Sequence, residues 1–109
     1  DTVYRKVQEE ASFPGGMEAW KKYLQQNLDA MIPANEGWKA GTYKIMIQFI
    51  VDKEGGIRDV RSINYKDSKT AAACIALISK GPKWIPASQK GKKVSAYRKQ
   101  PITFIIEEQ

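Results

Sequence analysis

The chain has 109 residues, room for one compact core and too few for two. Its 18 Lys and Arg against 12 Asp and Glu leave a formal charge of +6, which favours an anionic partner; yet the cations run along the whole length, as a solvated surface would have them. One cysteine and no histidine exclude an intramolecular disulfide, a Cys-His pair and the His-bearing zinc motifs.

In chain order, residues 3–8 alternate weakly, with Val3, Arg5 and Val7 on one side and Tyr4 and Lys6 on the other, which makes an edge strand at best. Asp1 in place of methionine points to a processed or trimmed piece, and the first residues lack the apolar core of a signal peptide. Phe13, Pro14, Gly15 and Gly16 break the chain. A helix follows over residues 17–28, where Met17, Trp20, Tyr23, Leu24 and Leu28 form one apolar stripe, with Trp20 and Leu24 facing the sheet. Residues 29–41 read as irregular, broken by Pro33, Gly37 and Gly41, with Trp38 as a lid on the core edge.

Residues 42–52 carry the central strand. Tyr43, Ile45, Ile47, Phe49 and Val51 recur at every second position, so one face is buried, and Met46 and Ile50 imply partial cover on the other. Burying those five side chains stabilises the fold by roughly 7 to 15 kcal/mol, an upper bound because unfolded chains already bury some surface. Gly55 and Gly56 suit a hairpin turn into a returning strand over residues 57–65, whose broken alternation predicts a bulge near Arg58 and Asp59. Asp67 and Ser68 cap a second helix, with Ala71, Cys74, Ile75 and Ile78 on one face and Gly81 and Pro82 as its stop. On that stripe Cys74 is a small buried hydrophobe rather than a nucleophile.

Residues 82–86 then run extended and lay Trp84 against the core. The last strand covers residues 92–106, and Pro101 requires part of it to be an edge. The fold class is α+β: two helices on one face of a small, mainly antiparallel three- to four-stranded sheet. One domain spans residues 1–109, with residues 1–12 as a weak strand or linker. No run of apolar residues approaches the ~20 of a membrane span.

The chemistry reads as an elimination. Without histidine, Ser-His-Asp and Cys-His catalysis are unavailable. The adjacent carboxylates, Glu9 with Glu10 and Glu107 with Glu108, point apart on any regular element. No phosphate loop is present, and residues 41–46 do not match an RNA-recognition strand. No catalytic residue, metal ligand or cofactor site is legible, and an enzyme is not expected.

Four motifs stand in order: Ser12-Phe13-Pro14-Gly15-Gly16 leading into Trp20, Tyr23, Leu24, Asn27 and Leu28; Phe49-Ile50-Val51 with Gly56-Ile57-Arg58-Asp59-Val60; Pro82-Lys83-Trp84-Ile85-Pro86 with Gln89-Lys90-Gly91-Lys92-Lys93-Val94; and Tyr97 with Pro101-Ile102-Thr103-Phe104. Together they resemble the C-terminal domain of TonB-family energy transducers of the Bacteroidetes type, across nearly the whole chain. The chain departs from that pattern at residues 31–41, at Lys69-Thr70-Ala71-Ala72 and at Ala87.

The resemblance implies a periplasmic receptor-binding module without chemistry or cofactor of its own. It would grip the TonB box of an outer-membrane transporter by β-strand addition and pass on pulling driven by the proton gradient. ExbB and ExbD would be partners through parts of a full transducer outside this chain. The gripping edge would be Val94, Ser95, Ala96, Tyr97, Arg98, Lys99 and Gln100 of the last strand. The competing arrangement has that edge paired with residues 3–8 or with a second copy in a homodimer. Alternative functions are a stand-alone secreted domain that binds another protein, and a basic nucleic-acid-binding α+β domain, although no nucleic acid is expected on the family reading.

Overall fold

The structure, a computed structural model, describes residues 2–108. In chain order the elements are β1 (Val3–Tyr4), α1 (Gly16–Asn27), α2 (Ile32–Asn35), β2 (Gly41–Val51), β3 (Ile57–Ser62), α3 (Lys69–Ser79), β4 (Ala87–Gln89) and β5 (Lys92–Ile106). The strand period of β2 holds for Ile45, Ile47, Phe49 and Val51, fully buried on one face, whereas Tyr43 at the start of that face is half-buried and outside the core cluster. β2 pairs antiparallel with β5 along its whole length, from Gly41 opposite Ile106 to Val51 opposite Ala96, and with β3 on its other side. The sheet order is β1-β5-β2-β3, with β4 attached to β5.

β3 carries the bulge that its broken alternation requires. Gln48 faces Arg61 while Ile50 faces Arg58, so β3 holds one extra residue, and Asp59 takes a left-handed φ of 54° there. The apolar side chain of Ile50, on the second face, is only 3% exposed and lies outside the main core cluster.

The two main helices cover the Ile45–Phe49 face. α3 packs on β3 and β2, its N-terminus capped by Ser68, whose Oγ accepts from the Ala71 N–H at 2.9 Å. Its buried stripe is Ala71, Cys74, Leu77 and Ile78, with Ile75 half-buried. α1 joins through Trp20, buried as its stripe requires, and through the Tyr23 hydroxyl, which donates to the Leu77 carbonyl at 2.7 Å. Leu24 is half-buried at the margin of the same core.

An aromatic knot closes the core. Phe13 packs edge-on against Trp20 and Trp84, at 5.3 and 5.6 Å between ring centroids, and Trp84 packs on Phe49 at 5.0 Å. Trp84 is held there because its N–H donates to the Gly55 carbonyl at 3.0 Å at the β2–β3 turn. Gly55 has a φ of +88°, and a Cβ on it would clash with the Trp84 carbonyl oxygen, so only glycine fits.

Three expectations need correction. The sheet is mixed, with five strands, rather than mainly antiparallel with three or four: β1 runs parallel to β5. A two-residue strand has no period to read, and its direction follows from where the chain beyond it is anchored, Glu9 to Ser88 and Ser12 to Ile85. Residues 29–41 contain the one-turn helix α2, which Pro33 starts rather than breaks, because its fixed φ suits a first turn. β4 was not legible; it exists because Lys90 and Gly91, at φ 52° and 77°, make the two-residue turn that folds residues 87–89 back on β5.

Candidate functional site

The backbone of β5 has two sides, and hydrogen bonds on β2 tell them apart. The Met46 N–H donates to Asn64 Oδ1 and the Met46 carbonyl accepts from the Ile63 N–H, both at 2.9 Å, so Met46 turns its backbone away from β5. Pro101 stands opposite Met46. Facing residues of an antiparallel pair point the same way, both inward or both outward, so the nitrogen of Pro101 faces away from β2 and its missing donor costs the ladder nothing. By alternation Tyr97, Lys99, Thr103 and Ile105 also turn their backbone groups outward, and Arg98, Gln100, Ile102 and Phe104 bond to β2.

That outer side is partly occupied. β4 sets Ala87 opposite Val94, and β1 sets Val3 opposite Ser95 and Tyr4 opposite Ala96. Beyond them, no described strand pairs with the outward side of residues 99–105, where the Pro101 carbonyl accepts from Gln100 Nε2 at 3.3 Å. Lys99, Pro101, Thr103 and Ile105 are all exposed, Ile105 at 66%. The other end of the sheet is a poorer template: β3 has six residues, a bulge and charges at Arg58, Asp59 and Arg61.

The seven residues singled out in the sequence therefore have different fates. Val94, Ser95 and Ala96 are engaged by β4 and β1, and Ser95 and Ala96 are buried. Tyr97 lies at the end of β1 with the Arg5 guanidinium 4.5 Å above its ring. Arg98 and Gln100 turn their side chains to the helix side, where Arg98 Nη1 donates to Glu10 Oε1 at 3.3 Å and Nη2 to Gln100 Oε1 at 3.1 Å. Only Lys99 of the seven presents both backbone and side chain at the open edge. Thr103 and Ile105 belong to that edge and were missed, as was Arg5; the parity of Pro101 was the signal for the first two.

On the helix side, a cleft of about 80 Å³ lies beside Arg98 and Gln100, walled by Phe13, Met17 and Trp20. No residue of β2 lines it, and Met17 is 66% exposed at its rim. β2 and β5 contain no acidic residue, so the face away from the helices is cationic at Lys44 and Lys99. Cys74 is fully buried on α3, and burial pushes its thiol up to about 12, which leaves no thiolate for chemistry. No helix among the described residues is long and apolar enough to cross a membrane.

No protein-family model, curated protein or solved structure matches the chain. The resemblance to TonB-type domains thus rests on the order of its four motifs.

Proposed function

We propose that this domain grips an extended peptide by adding it as a strand to the outer side of residues 99–105, in the manner of a TonB-type receptor-binding module in the periplasm. The observation that carries the reading is the long β5 edge, with which no strand of the described residues pairs beyond Ala96. Its outward groups are the N–H of Lys99, Thr103 and Ile105 and the carbonyls of Lys99, Pro101, Thr103 and Ile105. Backbone recognition of this kind is tolerant of side chains, so one module serves several receptors. The bonds lie across the strand axis and load together when the peptide is pulled along it, so a weak complex transmits force.

The family role adds the partners: the TonB box of an outer-membrane transporter and, through parts of a full transducer outside this chain, ExbB and ExbD. NMR titration of the labelled domain with TonB-box peptides tests the reading. Saturable shifts of the amides of Lys99, Thr103 and Ile105 support it; their absence with every peptide, in a monomeric sample, refutes it. Homodimerisation through the same edge is the second reading, favoured by the exposed Ile105. It predicts concentration-dependent mass in light scattering that Thr103→Pro abolishes.

A further inference from the structure

Away from the peptide edge, three aromatic side chains from three parts of the chain meet at the surface. Trp38 in the loop before β2, Tyr43 on β2 and Tyr65 in the loop before α3 have ring centroids 4.9, 5.0 and 6.0 Å apart. They line an open groove of about 500 Å³, within the span of small-ligand sites (about 300–1,000 Å³). Lys39, Lys66 and Ser68 complete its walls, and no carboxylate lines it. Tyr65 is 44% exposed and Trp38 and Tyr43 are half-buried, and neither tyrosine belongs to the main core cluster.

The corner is held in shape. The Asn64 side chain continues the β3 ladder past its end: Oδ1 accepts from the Met46 N–H and Nδ2 donates to the Lys44 carbonyl, each at 2.9 Å. Tyr65 follows directly, in a left-handed backbone at φ 50° that a bulky residue adopts only where its surroundings impose it. On the other side the Glu36 carboxylate accepts from the Lys69 and Thr70 N–H groups at 2.8 and 3.1 Å, which ties the Trp38 loop to α3. The Tyr43 hydroxyl donates to the Lys39 carbonyl at 2.7 Å and fixes the same loop. A preorganised concave site loses little entropy when it binds.

We infer that this corner is a binding site for an acidic sugar residue, a saccharide ring bearing a carboxylate. The rings are inclined to one another by 35°, 56° and 77°, so they form a corner rather than parallel plates. A planar base or aromatic acid stacks on one face at a time, whereas a puckered sugar ring turns C–H groups in several directions, each against the negative face of an aromatic ring. Successive base-stacking platforms are spaced along a strand; these three rings touch and make one site. The Lys39 and Lys66 ammonium groups, with no acid beside them in the groove, supply the counter-charge for the carboxylate, and the Ser68 hydroxyl a partner for sugar hydroxyls.

The test is an NMR titration of the whole chain with a hyaluronan tetrasaccharide, which carries glucuronate. Neutral chitotetraose, 4-hydroxyphenylacetate and a short oligothymidylate serve as comparison ligands. Saturable shifts of the Trp38 indole N–H and of the Gly37 and Lys66 amides, tightest for the acidic tetrasaccharide, are expected. Tyr65→Ser weakens that binding about 2- to 12-fold, as loss of one aromatic contact implies. Lys39→Gln with Lys66→Gln weakens the acidic tetrasaccharide and leaves chitotetraose unchanged, with thermal melts confirming that both variants fold. Equal or tighter binding of any comparison ligand, shifts centred elsewhere, or no saturation at the highest soluble concentration overturns the inference.

Discussion

Thr103→Pro separates the two sides of β5. Lys44 stands opposite Thr103, and the Lys44 carbonyl accepts from Asn64 Nδ2, so the Thr103 N–H faces away from β2. A proline there removes no ladder donor, and its neighbour Ile102 already has the extended backbone that proline demands. Ile102→Pro, one residue earlier, deletes a bond to Ile45 in the buried middle of the sheet and strands the Ile45 carbonyl there, a loss of about 1 to 3 kcal/mol, to which the lost packing of the buried Ile102 side chain adds. For a bound peptide the ranking reverses. Apart from the Pro101 carbonyl, which accepts from Gln100 Nε2, the open side offers three N–H groups and three carbonyls over residues 99–105, worth roughly 3 to 9 kcal/mol at about 0.5 to 1.5 each before association costs. Removing the Thr103 donor strands one peptide carbonyl, a loss of about 1 to 3 kcal/mol and so roughly 5- to 150-fold in affinity. Thermal melts of both variants, with peptide titrations of Thr103→Pro, measure the two effects. A Thr103→Pro melting point as low as that of Ile102→Pro refutes the assignment of sides, and unchanged peptide affinity refutes strand addition at residues 99–105.

Three further outcomes follow from the packing. Gly55→Ala forces a Cβ against the Trp84 carbonyl in a left-handed backbone and destabilises by about 1 to 3 kcal/mol, read as a lower urea midpoint with unchanged slope. The Lys69 N–H bonded to Glu36 holds the Glu36 carboxyl below its usual range; its stabilisation is complete above the unfolded value of 4.5 and fades as pH falls through the lower folded value. Glu36→Gln is therefore less stable than the parent at pH 7, and the gap closes on acidification; a constant gap in pH-dependent melts contradicts the tie. Cys74, buried and with its thiol raised to about 12, resists iodoacetamide at pH 8 in the folded protein and reacts in urea. Rapid native labelling, read by mass spectrometry, contradicts its place in the core.

Local pattern alone determined much of this protein. The period of two in β2, the bulge near Asp59, the Ser68 cap of α3 and the bounds of β5 are each written within a dozen neighbouring residues, because side-chain alternation and capping act at short range. Burial of Trp20, Trp84 and Cys74 was legible for the same reason: each lies on an apolar stripe or beside a chain-stiffening proline. Pro101 announced an edge, since a missing donor must face outward.

Tertiary structure decided what lies across that edge. The two residues of β1 carry no pattern, and they pair parallel with Ser95 and Ala96 because residues 9–12 are anchored far along the chain, on residues 85–88. That pairing moves the open stretch from the Tyr97 region to residues 99–105. Nor did any local signal join Trp38, Tyr43 and Tyr65; the half-buried tryptophan read as a lid because its partners come from separate elements. Pairing and convergence depend on which distant segments meet, and a periodicity that extends over one strand or one helix holds no record of them.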